Sequence, residues 1–308
     1  MVSRMAKDYV INLYSRALQM ICGSDDNKDM IKIENFQEYP LPEGAMINGV
    51  IIDEQPILDI LKELKKNGIH EARTAISSGQ VLVKILDVPI LKKRELLQVV
   101  KDELSDISGS YEDLVYDYSV LQQHQAGAEQ KGAKILCCAV ERKLLNSYIE
   151  LFERAGIHLK SIDIAVNALH KLTSELVNLT DKTYIISFLD ANYVSSYLFE
   201  NNHYTFSNRT RLFSERGTHA FTSEMNSNIS QLIQFNQSKR SPYSIETAYF
   251  CGLDDEEEKV VFESIKQNLK IEALEFPDSK LIHISNAEKK KQFQLHDYVF
   301  SVGSLIRK

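Results

Sequence analysis

The sequence predicts a mixed α/β protein built as two lobes, and three observations carry that prediction. A pattern of strand, turn, strand, turn, strand and helix occurs twice, about 175 positions apart. Strands and helices then alternate through both halves, as they do in α/β domains. Finally, 308 residues with 44% hydrophobic content suit two domains or one two-lobed unit with substantial cores.

In the first copy, 8–14 reads as a strand, Ser15-Arg16 as a tight turn and 17–22 as a returning strand. A polar turn over 23–29 leads to a third strand over 30–39. In the second copy, 184–189 is a β-branched and aromatic run, which favours a buried strand. Asp190-Ala191-Asn192 has turn chemistry, because short Asx side chains bond their own backbone. Strands over 193–199 and 204–213 follow, separated by a second turn at 200–203. Identity between the copies is slight, so the repeat is one of supersecondary plan.

Between the copies, Pro40-Leu41-Pro42-Glu43-Gly44 breaks the chain. Residues 53–67 carry Ile57, Leu58, Leu61 and Leu64 at helical spacing, and Gly68 is a natural stop. Strands are expected over 71–77 and 81–88, and an amphipathic helix over 91–107. Two more strands, 114–121 and 134–140, flank a polar loop over 122–132. Helix 141–155, stopped by Gly156, precedes strand 157–164 and helix 165–179.

After the second copy comes a helix over 218–239, then a buried strand over 245–251. Asp254-Asp255-Glu256-Glu257-Glu258 reads as a helix start rather than an acidic site, because carboxylates favour the positive end of a helix. That helix is expected over 260–269. Short strands at 271–276 and 281–284, a lysine turn at 289–291 and a helix over 298–306 complete the chain.

The formal charge is −7 and argues against nucleic acid as the main ligand. The first residues lack the apolar core of a signal peptide, and no stretch approaches the ~20 apolar residues of a spanning helix. A soluble cytoplasmic protein is therefore expected. Cys22, Cys137, Cys138 and Cys251 lie in apolar runs with no Cys-x-x-Cys pair, as buried free thiols do.

Phosphate-loop, dinucleotide, zinc-protease and nucleophile-elbow signatures are all absent. The eight histidines are scattered; His170 reads as structural and His124 as a loop residue. Asp53, Asp87, Asp117, Asp163 and Asp190 sit at strand ends or turns, where turn formation is the commoner role. Only 12 glycines occur, and no two are adjacent. Backbone cradles for phosphate need glycine, because a Cβ obstructs close approach.

Several short passages, in their order, carry a family resemblance. They are Gly49-Val50-Ile51-Ile52-Asp53 before a helix, and Asp87-Val88-Pro89 followed by Glu95-Leu96 and Asp102-Glu103. Next come the strand Val115-Tyr116-Asp117-Tyr118-Ser119-Val120-Leu121, then Glu153-Arg154-Ala155-Gly156-Ile157 with Ile162-Asp163-Ile164-Ala165. Ser301-Val302-Gly303-Ser304-Leu305-Ile306-Arg307 is the last. Together they resemble the PilM family, the cytoplasmic actin-like component of type IV pilus assembly.

The resemblance implies a two-lobed actin-like, ribonuclease-H-like fold. The first lobe would be 1–79 plus 157–180, with an inserted subdomain over 80–156, and the second lobe 181–308. It also implies ATP with magnesium between the lobes, and a groove for the N-terminal cytoplasmic tail of the inner-membrane protein PilN. Other pilus assembly proteins are further implied partners, and the location is the inner face of the membrane.

The nucleotide positions depart from the family. Asn12-Leu13-Tyr14-Ser15 stands where the family has Asp-Ile-Gly-Ser, and Asp190-Ala191-Asn192 replaces the second Asp-Ile-Gly. Arg216-Gly217 replaces paired glycines, and Cys251-Gly252-Leu253-Asp254 a glycine cluster. After Gly217 the family's extra subdomain is missing from the sequence. Asn12, Ser15, Asp190, Ser195, Gly217 and Gly252 are thus read as a vestigial nucleotide site, with no cofactor expected. Val83, Ile85, Leu91, Tyr116 and Tyr118 are the candidate partner groove. The favoured reading is a scaffold without ATP turnover. The alternatives are a working actin-like ATPase and a relative of the GspL cytoplasmic domain or of FtsA.

Overall fold

The computed structural model describes residues 7–25, 30–105, 113–123 and 132–307. His124 and most of the polar loop expected over 122–132 lie outside the described residues, as do parts of the expected 23–29 turn and 91–107 helix.

β1 (Asp8–Leu13), β2 (Ala17–Asp25) and β3 (Ile31–Pro40) form the first antiparallel meander. β2 runs past the expected turn at Gly23, through a bulge that keeps it paired with β3. A Cβ on Gly23 would lie 2.5 Å from the Lys32 carbonyl oxygen, so the close approach there requires glycine. The small hairpin of β4 (Met46–Ile47) and β5 (Val50–Ile51) leads into α1 (Glu54–Lys66). Asp53 caps α1 by accepting from the Gln55 N–H, while Ile57, Leu58, Leu61 and Leu64 are buried. β6 (Glu71–Ile76) then returns parallel to β1.

β7 (Leu82–Pro89), α2 (Lys93–Ser105), β8 (Leu114–Gln123) and β9 (Gly132–Glu141) make a separate three-stranded sheet in the order β7-β9-β8. It has its own small core, with Leu96, Val100 and Leu104 of α2 packed on Ile135 and Cys137. α3 (Arg142–Arg154), β10 (His158–Ile164) and α4 (Ala165–Glu175) bring the chain back, with β10 parallel to β6.

β11 (Tyr184–Asp190), β12 (Tyr193–Glu200) and β13 (His203–Arg211) repeat the meander. α5 (His219–Ser238) follows directly, capped by the Thr218 hydroxyl, which accepts from the Phe221 N–H. β14 (Thr247–Cys251) lies parallel to β11, as β6 does to β1. α6 (Asp255–Leu269) opens with a capping box in which the Asp254 carboxylate accepts from the Glu257 N–H and the Glu257 carboxylate from the Asp254 N–H, so the acidic run is a helix start. β15 (Glu272–Glu275) completes a sheet ordered β13-β12-β11-β14-β15, which matches β3-β2-β1-β6-β10.

The last segment corrects the boundary expected for the second lobe. β16 (Ile282–Ile284) pairs in parallel with β3 of the first sheet. After α7 (Ala287–Lys290), α8 (Val299–Leu305) packs on α4, β1 and β2. Every residue of α8 is buried, so it has no solvent face and must lie between other elements. A Cβ on Gly303 would stand 1.9 Å from the Ala168 carbonyl oxygen, which makes glycine obligatory at this crossing. Phe300 also meets Phe188 of the second meander at 4.6 Å between ring centroids, and Phe188 meets Tyr14 of the first at 5.4 Å. The two lobes thus share part of their core.

Candidate functional site

The turns of the two meanders face each other across the cleft between the lobes. Ser15 donates its backbone N–H to Asp190 Oδ1 at 2.8 Å and its hydroxyl to Oδ2 at 3.0 Å. Both residues are buried. Burial pushes the Asp190 carboxyl above its usual range, opposed by the Ser15 amide and the nearby Arg209 charge.

Arg209 of β13 completes the network. Its Nε donates to Asn48 Oδ1 at 2.6 Å, and its Nη1 donates to Ser77 Oγ at 3.1 Å and Ser195 Oγ at 2.6 Å. Nη2 lies 3.8 Å from Asp190 Oδ2, and the guanidinium carbon is 5.2 Å from the Tyr193 ring centroid. Sequence reasoning missed Arg209, Asn48 and Ser77. The available signal was the period-two polar face Ser207, Arg209, Arg211 on an expected strand.

Spaces remain in the cleft, among them one of about 240 Å³ against Ser77, Ser195 and Arg209 and two larger ones. One, of about 610 Å³, is bordered by Ser15, Arg16, Tyr193 and Arg211. The other, of about 510 Å³, is bordered by Arg216, Gly217 and Asp254. Arg216 is engaged there: it forms two hydrogen bonds with the Glu257 carboxylate and donates to the Gly252 carbonyl at 2.8 Å. Gly217 and Gly252 have φ of +75° and +84°. At Gly252 a Cβ would also approach the Leu189 carbonyl oxygen to 2.5 Å, so two constraints select glycine.

The structure brings Ser15 and Asp190 into contact, joins Ser195 to them through Arg209, and sets Gly217 near Arg216, which holds Gly252. Asn12 does not belong with them. It is fully buried, accepts from the Ala75 N–H at 2.8 Å and donates to Ser301 Oγ at 2.9 Å. This ties β1 to β6 and α8 within the first lobe. A metal–phosphate group would not fit the Asp190 position as it stands. Both carboxylate oxygens already accept from Ser15, no glycine lies in either turn, and a guanidinium holds the cationic place beside the carboxylate.

The second region is the junction of the inserted sheet with the first lobe. A cavity of about 200 Å³ lies there, lined by Val115, Leu136, Cys138, Leu145 and Ile162 with a polar edge at Ser119, Asp163 and Asn167. Burial pushes the Cys138 thiol up to about 12, so it presents a neutral sulfur. On the edge, Ser119 donates to Asn167 at 2.6 Å, while Asn167 at 2.9 Å and Lys171 at 2.7 Å donate to Asp163.

The five expected groove residues do not form one trough. Val83 and Ile85 pack toward the first lobe, whereas Leu91 and Tyr116 pack with α2 on the opposite face. Tyr118 packs with α2 and also borders the cavity. Strand side chains alternate between faces, so neighbours in the sequence are divided by the sheet.

A family profile described as the type IV pilus assembly protein PilM matches residues 11–230. The chain belongs to the PilM family. Among solved structures, a chain of a PilM-PilN type IV pilus biogenesis complex matches with a TM-score of 0.75 at 15% identity, covering 97% of each chain. A Bacteroides thetaiotaomicron protein with an actin-like ATPase fold matches at 0.56 and 8% identity, covering 98% of this chain and 96% of that one. The ethanolamine utilization protein EutJ from Carboxydothermus hydrogenoformans matches at 0.52 and 9% identity, covering 98% and 89%. These likenesses establish the actin-like fold of this PilM-family chain. A search of curated proteins finds no match.

Proposed function

We propose that this type IV pilus assembly protein is a docking scaffold that works without ATP turnover. Its partner is the N-terminal cytoplasmic tail of a PilN-like inner-membrane protein, which would hold it at the inner face of the membrane. The observation that carries the reading is the contrast between the cleft, where Ser15 bonds Asp190 and the adjacent Arg209 bonds Asn48, Ser77 and Ser195, and the open apolar cavity at the junction. The neighbour solved as a PilM-PilN complex supports this class of partner. Among the described residues no helix is long and apolar enough to cross a membrane, so a tail-bearing partner suits the reading. Apolar side chains of an extended tail would enter the cavity, and its backbone would lie along the polar edge.

The tail would sit on the face carrying Val115, Ser119 and Leu145, not on the α2 face carrying Leu91 and Tyr116. Titration of the isotope-labelled protein with a PilN-like tail peptide is the test. Saturable shifts centred on this face are expected. Shifts confined to the second sheet, or no binding, would overturn the reading.

A second reading, a nucleotide-binding protein, is favoured by one observation: the cleft retains open space, part of it bordered by Gly217. Calorimetric titration with ATP and magnesium separates the two. Absence of saturable heat at millimolar nucleotide supports the scaffold, and tight binding abolished by Asp190→Ala supports the nucleotide reading.

A further inference from the structure

Arg209 has more to do than neutralise Asp190. Its guanidinium is carried by the second lobe, yet it donates to Asn48 and Ser77 of the first, at 2.6 and 3.1 Å. On its own side it is held by Ser195 at 2.6 Å and stacked over Tyr193 at 5.2 Å. The side chain is only 11% exposed. A planar fork of five N–H donors can reach acceptors on both sides of a cleft at once, which an ammonium group cannot do in fixed geometry.

The first-lobe acceptors are preformed. Asn48 has φ of +52°, a left-handed conformation that asparagine tolerates better than most residues. Gly49, at +77°, packs so tightly that a Cβ would stand 2.4 Å from the Ser77 carbonyl oxygen. Tyr148 of α3 donates to the Gly49 carbonyl at 2.8 Å, and Asn48 accepts from the Gly79 N–H at 3.2 Å. The 48–49 turn and Ser77 therefore meet Arg209 as one rigid surface.

A second link runs the opposite way across the cleft, from Ser15 of the first lobe to Asp190 of the second. The two links share Asp190, because Nη2 of Arg209 lies 3.8 Å from its Oδ2. The shared aromatic core at Phe188 and Phe300 joins the lobes elsewhere.

We propose that Arg209 is a built-in interlobe pin: a cation on the second lobe that holds the cleft closed from within, in place of a bound ligand. The inference is independent of the docking reading, since tail binding can fail while the pin stands.

Amide hydrogen exchange on the whole chain tests it. In Arg209→Met the inserted sheet should keep its protection, while amides around 15–17, 48–49 and 190–195 exchange about tenfold faster. Arg211→Met, on the same strand with its guanidinium 5.5 Å from the Phe213 ring, should change nothing at these amides. Small-angle scattering should show a larger radius of gyration for Arg209→Met alone. Unchanged cleft exchange in folded Arg209→Met, or equal acceleration in Arg211→Met, overturns the pin.

Should Arg209→Met fail to fold with Asp190 left unpaired, the Asn48→Gly, Ser77→Ala double variant decides. It keeps the buried charge pair and removes the first-lobe acceptors, together with the Asn48 contact to the Gly79 N–H. Faster exchange on both sides of the cleft supports the pin, and unchanged exchange overturns it.

Discussion

The cleft between the lobes and the junction under the inserted sheet are both concave, but they are finished differently. In the cleft, carboxylate, guanidinium, hydroxyl and amide groups meet one another at hydrogen-bonding distance. At the junction, apolar side chains line a cavity that only its edge makes polar. The difference is one of physical chemistry. Buried polar groups are costly unless bonded, and in the cleft Ser15, Asp190, Arg209, Asn48, Ser77 and Ser195 bond within one connected set. Apolar surface has no such internal solution; only another apolar surface can cover it.

The strongest way to break this contrast is to remove the anchor of the cleft network. Asp190→Ala strips the Ser15 amide of its acceptor and leaves Arg209 buried without its carboxylate. Urea denaturation should show a loss of ~3–5 kcal/mol, the usual cost of breaking a buried charge pair from one side. Asp190→Asn, which keeps a hydrogen-bond acceptor, should lose less. A loss for Asp190→Ala below about 1 kcal/mol would mean that the network is not what stabilises the cleft.

The junction is sharpened by filling it. Ser119→Arg places a long charged side chain at the half-buried edge of the cavity. It should weaken tail-peptide binding by more than about tenfold in calorimetry, with the melting temperature within about 1 °C of the parent. Arg211→Ala in the cleft should leave peptide affinity unchanged. Equal losses in the two variants would erase the distinction between the regions.

Asn12 tests whether a residue aligned with a phosphate loop has become purely structural. Asn12→Ala leaves the buried Ala75 N–H and Ser301 hydroxyl without this partner, and about 1–3 kcal/mol of stability should go with it. Peptide and nucleotide titrations should be unaffected.

The smallest effect is expected at the far end of the second lobe, at Glu258. Burial, then the neighbouring Glu275 carboxylate, push its carboxyl up to about 7. A folded-state value above that of the unfolded chain means that protonation favours the fold. This contribution is complete below about pH 4.5 and is lost as the pH rises through about 7. Glu258→Gln should flatten that dependence and raise the melting temperature by ~1–2 °C at about pH 8. Parallel curves for parent and variant between about pH 5 and pH 8 would exclude the effect.

Local patterns alone fixed much of this chain. The apolar period of α1, its stop before Gly68, the Asp254 cap of α6 and the buried run of β11 all express contacts within a few residues. The repeated meander was legible for the same reason, and with it the two facing turns. What the tertiary structure decided is which groups meet. Ser15 and Asp190 are 175 residues apart, Asn48 and Arg209 161 apart, and Asn12 and Ser301 289 apart. No local period encodes those partners, so Asn12 could be placed with the nucleotide loop and Arg209 overlooked. The same limit explains β16 and α8: their apolar residues announce burial, but not that the first sheet is what buries them. Periodicity records how a segment divides inside from outside; which inside it joins depends on long-range packing that forms only when the whole chain folds.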